Sequence, residues 1–189
     1  NDINWTGVSS PVQIGEADIW YSIQKTGQMT IAMQSNGSLW AWGRNTIGQL
    51  GDGTAVSKSS PVQIGSLTTW TSVSGAGNAS AYAIKSDGTL WSWGYNITGG
   101  LGHGDEVNRS SPTQVGSLTT WLSVAAGDGG SGATVLAVKT DGTLWGWGEN
   151  DIGNLGDGTV VRKSSPIQIG SSTDWTAASV GGDTSGALQ

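Results

Sequence analysis

Three residues that could bind a metal or act in catalysis stand close together in the middle of the chain. His103 is the only histidine, and Asp105 and Glu106 follow it in the segment Leu-Gly-His-Gly-Asp-Glu. A zinc or calcium ion would need further ligands, and nucleophilic catalysis would need an activating partner, for which the chain has no second histidine and no cysteine. We therefore predict no metal site and no catalytic site, and we interpret the three residues as part of a contact loop.

A second candidate segment is rich in glycine. Residues 127–132 read Gly-Asp-Gly-Gly-Ser-Gly, which matches the spacing of a dinucleotide-binding loop. Such a loop presents a helix N-terminus to a pyrophosphate, whereas here a predicted strand follows, Ala133 to Lys139, and no helical pattern exists. We predict no cofactor, and we expect Asp128 and Ser131 to lie in a loop that contacts a partner.

Charge and composition exclude further classes of function. The net charge is −6 and the 8 Lys and Arg residues form no basic stripe, so we predict no binding to nucleic acid. No apolar stretch reaches the roughly 20 residues of a membrane span, so we predict no membrane insertion. The carboxylates form no recognisable acid and base pair, and we predict that the chain is not an enzyme. A surface rich in Ser, Thr, Asn and Gly favours an extracellular, cell-surface or virion location.

The elements that must position these loops are β-hairpins. Residues 81–85 and 89–94 are apolar, alternating runs around the turn Ser86-Asp87-Gly88, where a glycine can adopt a positive φ. Trp91 and Trp93 are two residues apart and so point to one face of their strand. We expect this pair to be half-buried against the next unit of structure. The same hairpin recurs around Asn36-Gly37 and around Asp141-Gly142.

The whole chain consists of repeats that contain this hairpin. The motif Ser-Ser-Pro-x-Gln-(Ile/Val)-Gly recurs at intervals of roughly 50 residues, and a tryptophan follows it each time. Each unit offers four short strands, which is the size of one propeller blade. We predict whole repeats at 9–58, 59–109 and 110–163, a truncated repeat at 164–189 and, in residues 1–8, the tail of a preceding repeat.

Two motifs of the repeat carry a resemblance to a known family. Asp-Gly-Thr-Leu-Trp-x-Trp-Gly, followed by Asn-x-x-Gly-x-Leu-Gly-Asp-Gly-Thr, resembles the repeat of the regulator of chromosome condensation family, in a bacterial or phage-like form. The resemblance implies an all-β fold, a β-propeller of four-stranded antiparallel blades, of which this chain would supply about three and a half of an expected seven. It also implies loops on two flat faces that bind macromolecules.

The resemblance leaves two functions open. We favour a non-catalytic protein-binding or structural module, surface-exposed, secreted or virion-associated by the composition argument above, and the alternative is guanine-nucleotide exchange on a small GTPase, which the resemblance to the family's name-giving member implies. Trp5 falls outside the repeat template and is a further candidate for ligand contact or for burial in an interface. The unpaired strand edges of an incomplete ring predict that either further blades of the same assembly or a second copy of the chain covers them.

Overall fold

The computed structural model describes residues 20–77, 79–128, 131–182 and 184–189, which form fourteen β-strands and no helix. Trp5 and the predicted repeat tail at 1–8 lie outside the described residues. No described segment is a helix capable of crossing a membrane. The strands are β1 (Trp20–Thr26), β2 (Met29–Gln34), β3 (Leu39–Gly43), β4 (Lys58–Gln63), β5 (Trp70–Ala76), β6 (Ser80–Lys85), β7 (Leu90–Gly94), β8 (Arg109–Gln114), β9 (Trp121–Asp128), β10 (Ala133–Lys139), β11 (Leu144–Gly148), β12 (Lys163–Gln168), β13 (Ala177–Val180) and β14 (Ser185–Leu188).

Within the described residues, the strands form three four-stranded antiparallel sheets and one two-stranded sheet. Strands β1 to β4 make the first sheet, β5 to β8 the second and β9 to β12 the third, each in chain order, and β13 pairs with β14. We call these sheets blades 1, 2 and 3 and the half-blade. The predicted β-propeller architecture of about three and a half blades is confirmed, and the described sheets do not close into a ring.

The blades are offset from the sequence repeats. The Ser-Ser-Pro segments that open the predicted repeats at 59–109, 110–163 and 164–189 form β4, β8 and β12, and each pairs with the third strand of its blade, which belongs to the preceding repeat. Its proline is tolerated because an outermost strand has one edge without a ladder partner. A blade therefore combines three strands of one repeat with the first strand of the next, rather than the four strands of a single repeat. The repeat boundaries given above stay a prediction.

The order of the strands defines two ends of every blade. The first strands β1, β5, β9 and β13 pack against one another, so they form the inner layer of the array. Because neighbouring strands are antiparallel, the loops after the first and third strands leave the blade at the same end, which we call the loop end. The hairpin turn after the second strand and the linker to the next blade lie at the opposite end, the turn end.

Apolar clusters fill the spaces between neighbouring blades. Between blades 1 and 2, Ile31 and Leu50 belong to the same cluster as Trp93, which is fully buried, and Trp91 packs against that cluster while half-buried. Both indoles therefore lie on one face, as predicted. They pack toward the preceding blade and one of them is fully buried, so the expectation of a pair half-buried against the next unit was wrong.

The Asp-Gly turn also fixes the spacing between blades. Asp87 Oδ1 accepts hydrogen bonds from Thr89 N at 3.0 Å and from Thr89 Oγ1 at 2.6 Å, and Gly88 has a φ of 75°. A Cβ atom on Gly88 would lie 2.2 Å from the Thr119 carbonyl oxygen in the linker to blade 3. Trp121 N donates to the Gly88 carbonyl at 3.1 Å. The glycine therefore serves both the turn and the close approach of the next blade.

Candidate contact surface at the loop end

The structure places the predicted contact residues in two loops at the loop end. His103, Asp105 and Glu106 lie in the long loop between β7 and β8. Asp128 ends β9, and Ser131 lies in the loop that follows. The carboxylate of Asp128 packs against blade 2, because a Cβ atom on Gly77 would lie 2.6 Å from Asp128 Oδ2. The five residues thus belong to loops of blades 2 and 3 that share one end, while their role in binding stays a prediction.

A buried asparagine shapes each long loop. Asn45 follows β3, and its Nδ2 donates to the carbonyls of Thr54 at 3.0 Å and Val56 at 3.2 Å, while its Oδ1 accepts from Leu50 N at 2.9 Å. Asn96 and Asn150 make the equivalent hydrogen bonds in blades 2 and 3. Since one side chain satisfies several backbone groups away from water, each loop has a defined path.

The long loop of blade 2 carries a different ion pair from the other two. In blade 1, Lys58 Nζ lies 3.3 Å from Asp52 Oδ2, and blade 3 has the same pair of residue types. In blade 2, His103 takes the place of the aspartate. Asp105, two residues later, pairs with Arg109 through Nη2–Oδ2 at 2.8 Å and Nη1–Oδ1 at 3.0 Å. Hydrogen bonding by Arg109 lowers the pKa of Asp105.

His103 is held in one tautomer by a buried serine. Ser92 Oγ lies 2.9 Å from His103 Nε2 and donates its only proton to the Leu101 carbonyl at 2.7 Å. The histidine must therefore donate from Nε2. Burial lowers the pKa of His103 to about 4, and the positive charge of Arg109 contributes in the same direction. The ring is neutral at pH 7, and its partner hydroxyl is not activated as a nucleophile.

Arg162, in the long loop between β11 and β12, connects that loop to the loop between β9 and β10 of the same blade. Its Nη2 donates to Ser131 Oγ at 3.0 Å, and its Nε donates to Asp151 Oδ1 at 2.8 Å. Ser131 also donates from N and from Oγ to the buried Glu149, both at 3.0 Å. Hydrogen bonding to Asp151 raises the pKa of Arg162, and the charges of Glu149 and Glu106 act in the same direction. The structure thus brings Ser131 to this cation, and the charge of Glu106 favours the same cation.

His103 also lines a groove between blades 2 and 3. The groove has a volume of about 300 Å³, and Trp121, Trp145, Leu118 and Pro166 form its apolar walls. An equivalent groove of about 300 Å³ lies between blades 1 and 2, with an aspartate in place of the histidine. The repeated groove is therefore a feature of the blade junction, and its polar residue differs from one junction to the next.

The arrangement offers contacts and no recognisable reaction chemistry. In the part of the chain that the structure describes, no three His, Cys, Asp or Glu side chains gather closely enough to hold a metal ion. The sequence-based selection missed Arg162 and Glu149, which organise the loop around Ser131. A comparison of the repeats could have found them, because blade 1 has Ser57 and Arg44 at the equivalent positions.

The fold and these loops define the chain as an array of β-propeller blades with variable loops at one end. The chain belongs to the family of the regulator of chromosome condensation (RCC1) repeat, whose model matches residues 36–83, 87–134 and 141–188. This result confirms the resemblance drawn from the two sequence motifs.

Several relatives share this repeat. Human E3 ubiquitin-protein ligase HERC2 is 31% identical over 153 residues, which is 80% of this chain and 3% of that protein. Ultraviolet-B receptor UVR8 of Arabidopsis thaliana is 28% identical over 141 residues, which is 74% of this chain and 32% of that protein. The chain therefore spans only a part of the curated relatives it matches.

Solved structures confirm the fold. Human WBSCR16 superposes with a TM-score of 0.78 at 21% identity, covering 95% of this chain and 48% of that one. Prp20p from Saccharomyces cerevisiae superposes with a TM-score of 0.72 at 21% identity, covering 88% of this chain and 42% of that one, and its structure is described together with its binding properties to Gsp1p and histones. At this identity the likeness concerns the fold alone.

Proposed function

We propose that the chain is a non-catalytic protein-binding β-propeller module that uses the loop end of blades 2 and 3. The observation that carries the proposal is the Arg162 cluster. Ser131, in the β9–β10 loop, is hydrogen-bonded to both Glu149 and Arg162 of the β11–β12 loop, and blade 1 has Arg44 and Ser57 at the places of Glu149 and Arg162. The blades share one framework, whereas these loops differ between blades, as a binding surface on a rigid scaffold does.

Capture of partners by matched surface variants tests this role. Arg162→Ser with Asp151→Thr installs the residues of blade 1 at the loop end. Asp174→Thr is the matched change at the turn end, where a threonine precedes the first tryptophan of blades 2 and 3. We expect the wild type and Asp174→Thr to capture the same proteins from an extract, quantified by mass spectrometry, and the loop-end variant to lose them. Equal capture by all three chains, or loss caused by Asp174→Thr alone, would contradict the proposal.

A second candidate function is nucleotide exchange on a small GTPase. It is favoured by the likeness to yeast Prp20p, a protein described as binding Gsp1p. A nucleotide-release assay with purified small GTPases separates the two functions. We expect no acceleration by this chain, and a measurable acceleration that Arg162→Ser reduces would favour exchange activity instead.

We also propose that nucleic acid is not a partner, because the net charge is −6 and Arg109, Arg162 and Lys163 at the loop end of blades 2 and 3 are paired with carboxylates. A shift assay with DNA and RNA at low salt tests this point, and we expect no retardation. Location at a cell surface, in a secretion or in a virion stays a prediction from composition.

A further inference from the structure

We propose that a pocket at the loop end between blades 1 and 2 binds a carboxylate group of a protein partner. The pocket has a volume of about 340 Å³, and residues of four loops line it. Both blades have all four of their strands, so the pocket lies between complete units. The inference rests on the proposed role as a binding module and extends it to a second junction, which contains no residue of the Arg162 cluster.

The first feature is an arginine without an acidic partner. Arg44 donates from Nη1 to Gln28 Oε1 at 2.7 Å and from Nε to Thr46 Oγ1 at 3.0 Å, so two neutral side chains orient its guanidinium. No described carboxylate lies within ion-pair distance of it. The other two arginines of the chain, Arg109 and Arg162, each pair with an aspartate through two nitrogen atoms. The positive charge in this pocket is therefore oriented and not neutralised.

The second feature is a buried amide that opens into the pocket. Gln49 is only 2% exposed, and its Oε1 accepts from Ile47 N at 3.0 Å, which defines the end of the amide that carries the N–H groups. Its Nε2 makes no hydrogen bond to a described residue and is not sealed from solvent, so it faces the pocket that Gln49 lines. Blade 2 has Gly100 at this position, so the framework does not require the side chain. A buried donor without an acceptor indicates a missing partner.

The third feature is the charge of the pocket walls. Of the described residues that line the pocket, Arg44 alone carries a charge, and Tyr95 of blade 2 adds a hydroxyl that has no hydrogen-bond partner among the described residues. Arg44 and Tyr95 occupy the same position of two successive repeats, directly after the Trp-x-Trp-Gly strand. The third repeat has Glu149 there, which accepts hydrogen bonds from Ser131. A cationic pocket is therefore specific to the junction of blades 1 and 2.

The class of ligand follows from these donors. One positive charge, an amide N–H₂ and a hydroxyl match a group with one negative charge and two acceptor oxygens, which is a carboxylate. A phosphate monoester carries close to two negative charges at pH 7 and is typically bound by several cations, whereas this pocket has one. The volume lies near the lower end of the range of ligand pockets, roughly 300–1,000 Å³. We therefore assign the pocket to one residue of the partner, an acidic side chain or the C-terminal residue.

Three short N-acetylated peptides test the site in the full chain. The first has a glutamate as its only charged group and an amidated C-terminus. The second has glutamine in place of the glutamate and a free C-terminal carboxylate, and the third has glutamine and an amidated C-terminus, so it is neutral. We expect a saturable shift of the Gln49 side-chain amide signals in NMR spectra with the first or the second peptide and not with the third. The peptide that binds more tightly identifies the source of the carboxylate.

Two charge variants of blade 1 form a matched pair. Arg44→Gln should weaken binding of the carboxylate peptide at least about tenfold, because it removes the charge-assisted hydrogen bonds. Lys25 is an exposed cation of β1 that does not line the pocket, so Lys25→Gln changes the net charge equally. We expect this control to bind the peptide nearly as the wild type does at physiological salt, where long-range attraction is screened.

Two variants of Gln49 test the amide. Gln49→Glu has the same shape and keeps an acceptor for the amide of Ile47, but it places a negative charge in the pocket. It should weaken binding of the carboxylate peptide at least about tenfold by repulsion between like charges. Because a buried carboxylate can also destabilise the fold, Gln49→Ala is the second variant. It should weaken binding at least about threefold through the loss of a neutral hydrogen bond.

Three outcomes would overturn the assignment. They are the absence of a Gln49 shift with both carboxylate peptides, equal binding by Arg44→Gln and Lys25→Gln, and binding of inorganic phosphate as tight as that of the carboxylate. The variant Arg162→Ser with Asp151→Thr should bind the peptide as the wild type does. Failure of the peptides would therefore leave the proposed role of the Arg162 cluster standing, and failure of capture by that cluster would leave the carboxylate pocket standing.

Discussion

Lys139 Nζ lies 3.4 Å from the centroid of the Trp145 ring, although Lys139 is only 6% exposed. Lys85 Nζ has the same relationship to Trp91, at 3.6 Å, in a less buried position. The first repeat has Gln34 at this place. The chain therefore contains a charged and a neutral version of one packing arrangement.

Replacing the buried lysine measures the cation–π contribution. We expect Lys139→Gln to lower the free energy of unfolding by about 1–2 kcal/mol in urea titrations, because a desolvated cation over an indole is stabilised more than an exposed one. Lys85→Gln is the matched control and should cost less. A larger loss for Lys85→Gln, or no loss for either variant, would show that the ring contact does not stabilise the blade.

The asparagines of the third long loop provide a second test. Asn150→Ala leaves the amide of Leu155 and the carbonyls of Thr159 and Val161 without their partner, so we expect it to lower the free energy of unfolding by about 2–4 kcal/mol. Asn154→Ala removes a buried amide that makes no hydrogen bond, and it should cost less than about 1 kcal/mol. Similar losses in chemical denaturation would contradict this account of the loop.

His103 predicts a specific loss of stability in mild acid. Its folded-state pKa of about 4 lies below the ordinary value of 6.5, so the unfolded chain takes up a proton in this interval while the folded chain does not. The free energy of unfolding is unaffected by this titration above pH 6.5, and it falls as the pH decreases from 6.5 toward 4. Because solvent reaches part of the ring and screens its charge, we expect this loss of unfolding free energy to be about 1–2 kcal/mol. Arg109 and Asp105 are the charges that face the ring.

The variant His103→Asn separates this contribution from other titrations. Its free energy of unfolding should fall less than that of the wild type between pH 6.5 and pH 4. An NMR titration that places the pKa of His103 near 6.5 would refute the assignment of a buried neutral ring.

Exchange of the ion pair between repeats tests whether the substitutions in blade 2 act together. Asp105→Thr alone removes the carboxylate that accepts from both Nη1 and Nη2 of Arg109, and we expect a loss of about 1–3 kcal/mol. The triple variant His103→Asp, Asp105→Thr and Arg109→Lys installs the set found in blades 1 and 3, and it should recover most of that loss. Additive losses in thermal unfolding would show that the three positions are independent.

Local chemistry predicted the strands and turns well. Asp87 and Gly88 encode a tight turn by hydrogen bonding and positive φ, and the strand Ala133–Lys139 was predicted with the bounds that the structure shows. Such patterns do not state which neighbour a strand pairs with. Pro61 marks an edge strand, but only the tertiary fold shows that this strand belongs to the blade of the preceding hairpin.

The contact surface was predictable only in part, for a related reason. A histidine or a glycine-rich loop is visible as a departure from the repeat, so His103 and Ser131 could be selected as candidates, and their role in contacts stays a prediction. Arg162 and Glu149 lie at opposite ends of the β11–β12 loop, and their common neighbour Ser131 lies in the β9–β10 loop. That meeting depends on how these two loops of blade 3 lie against each other, which no local pattern encodes.

The offset between repeats and blades bears on how such arrays change in length. Each blade takes its outer strand from the following repeat. Duplication of one repeat by unequal recombination therefore inserts one outer strand for the preceding blade and three strands of a new blade, in the order that the existing blades have. Every blade on either side of the insertion keeps four strands. A gene of this design can gain or lose one blade at a time. Each blade is still built from two neighbouring repeats, which the polypeptide chain links covalently.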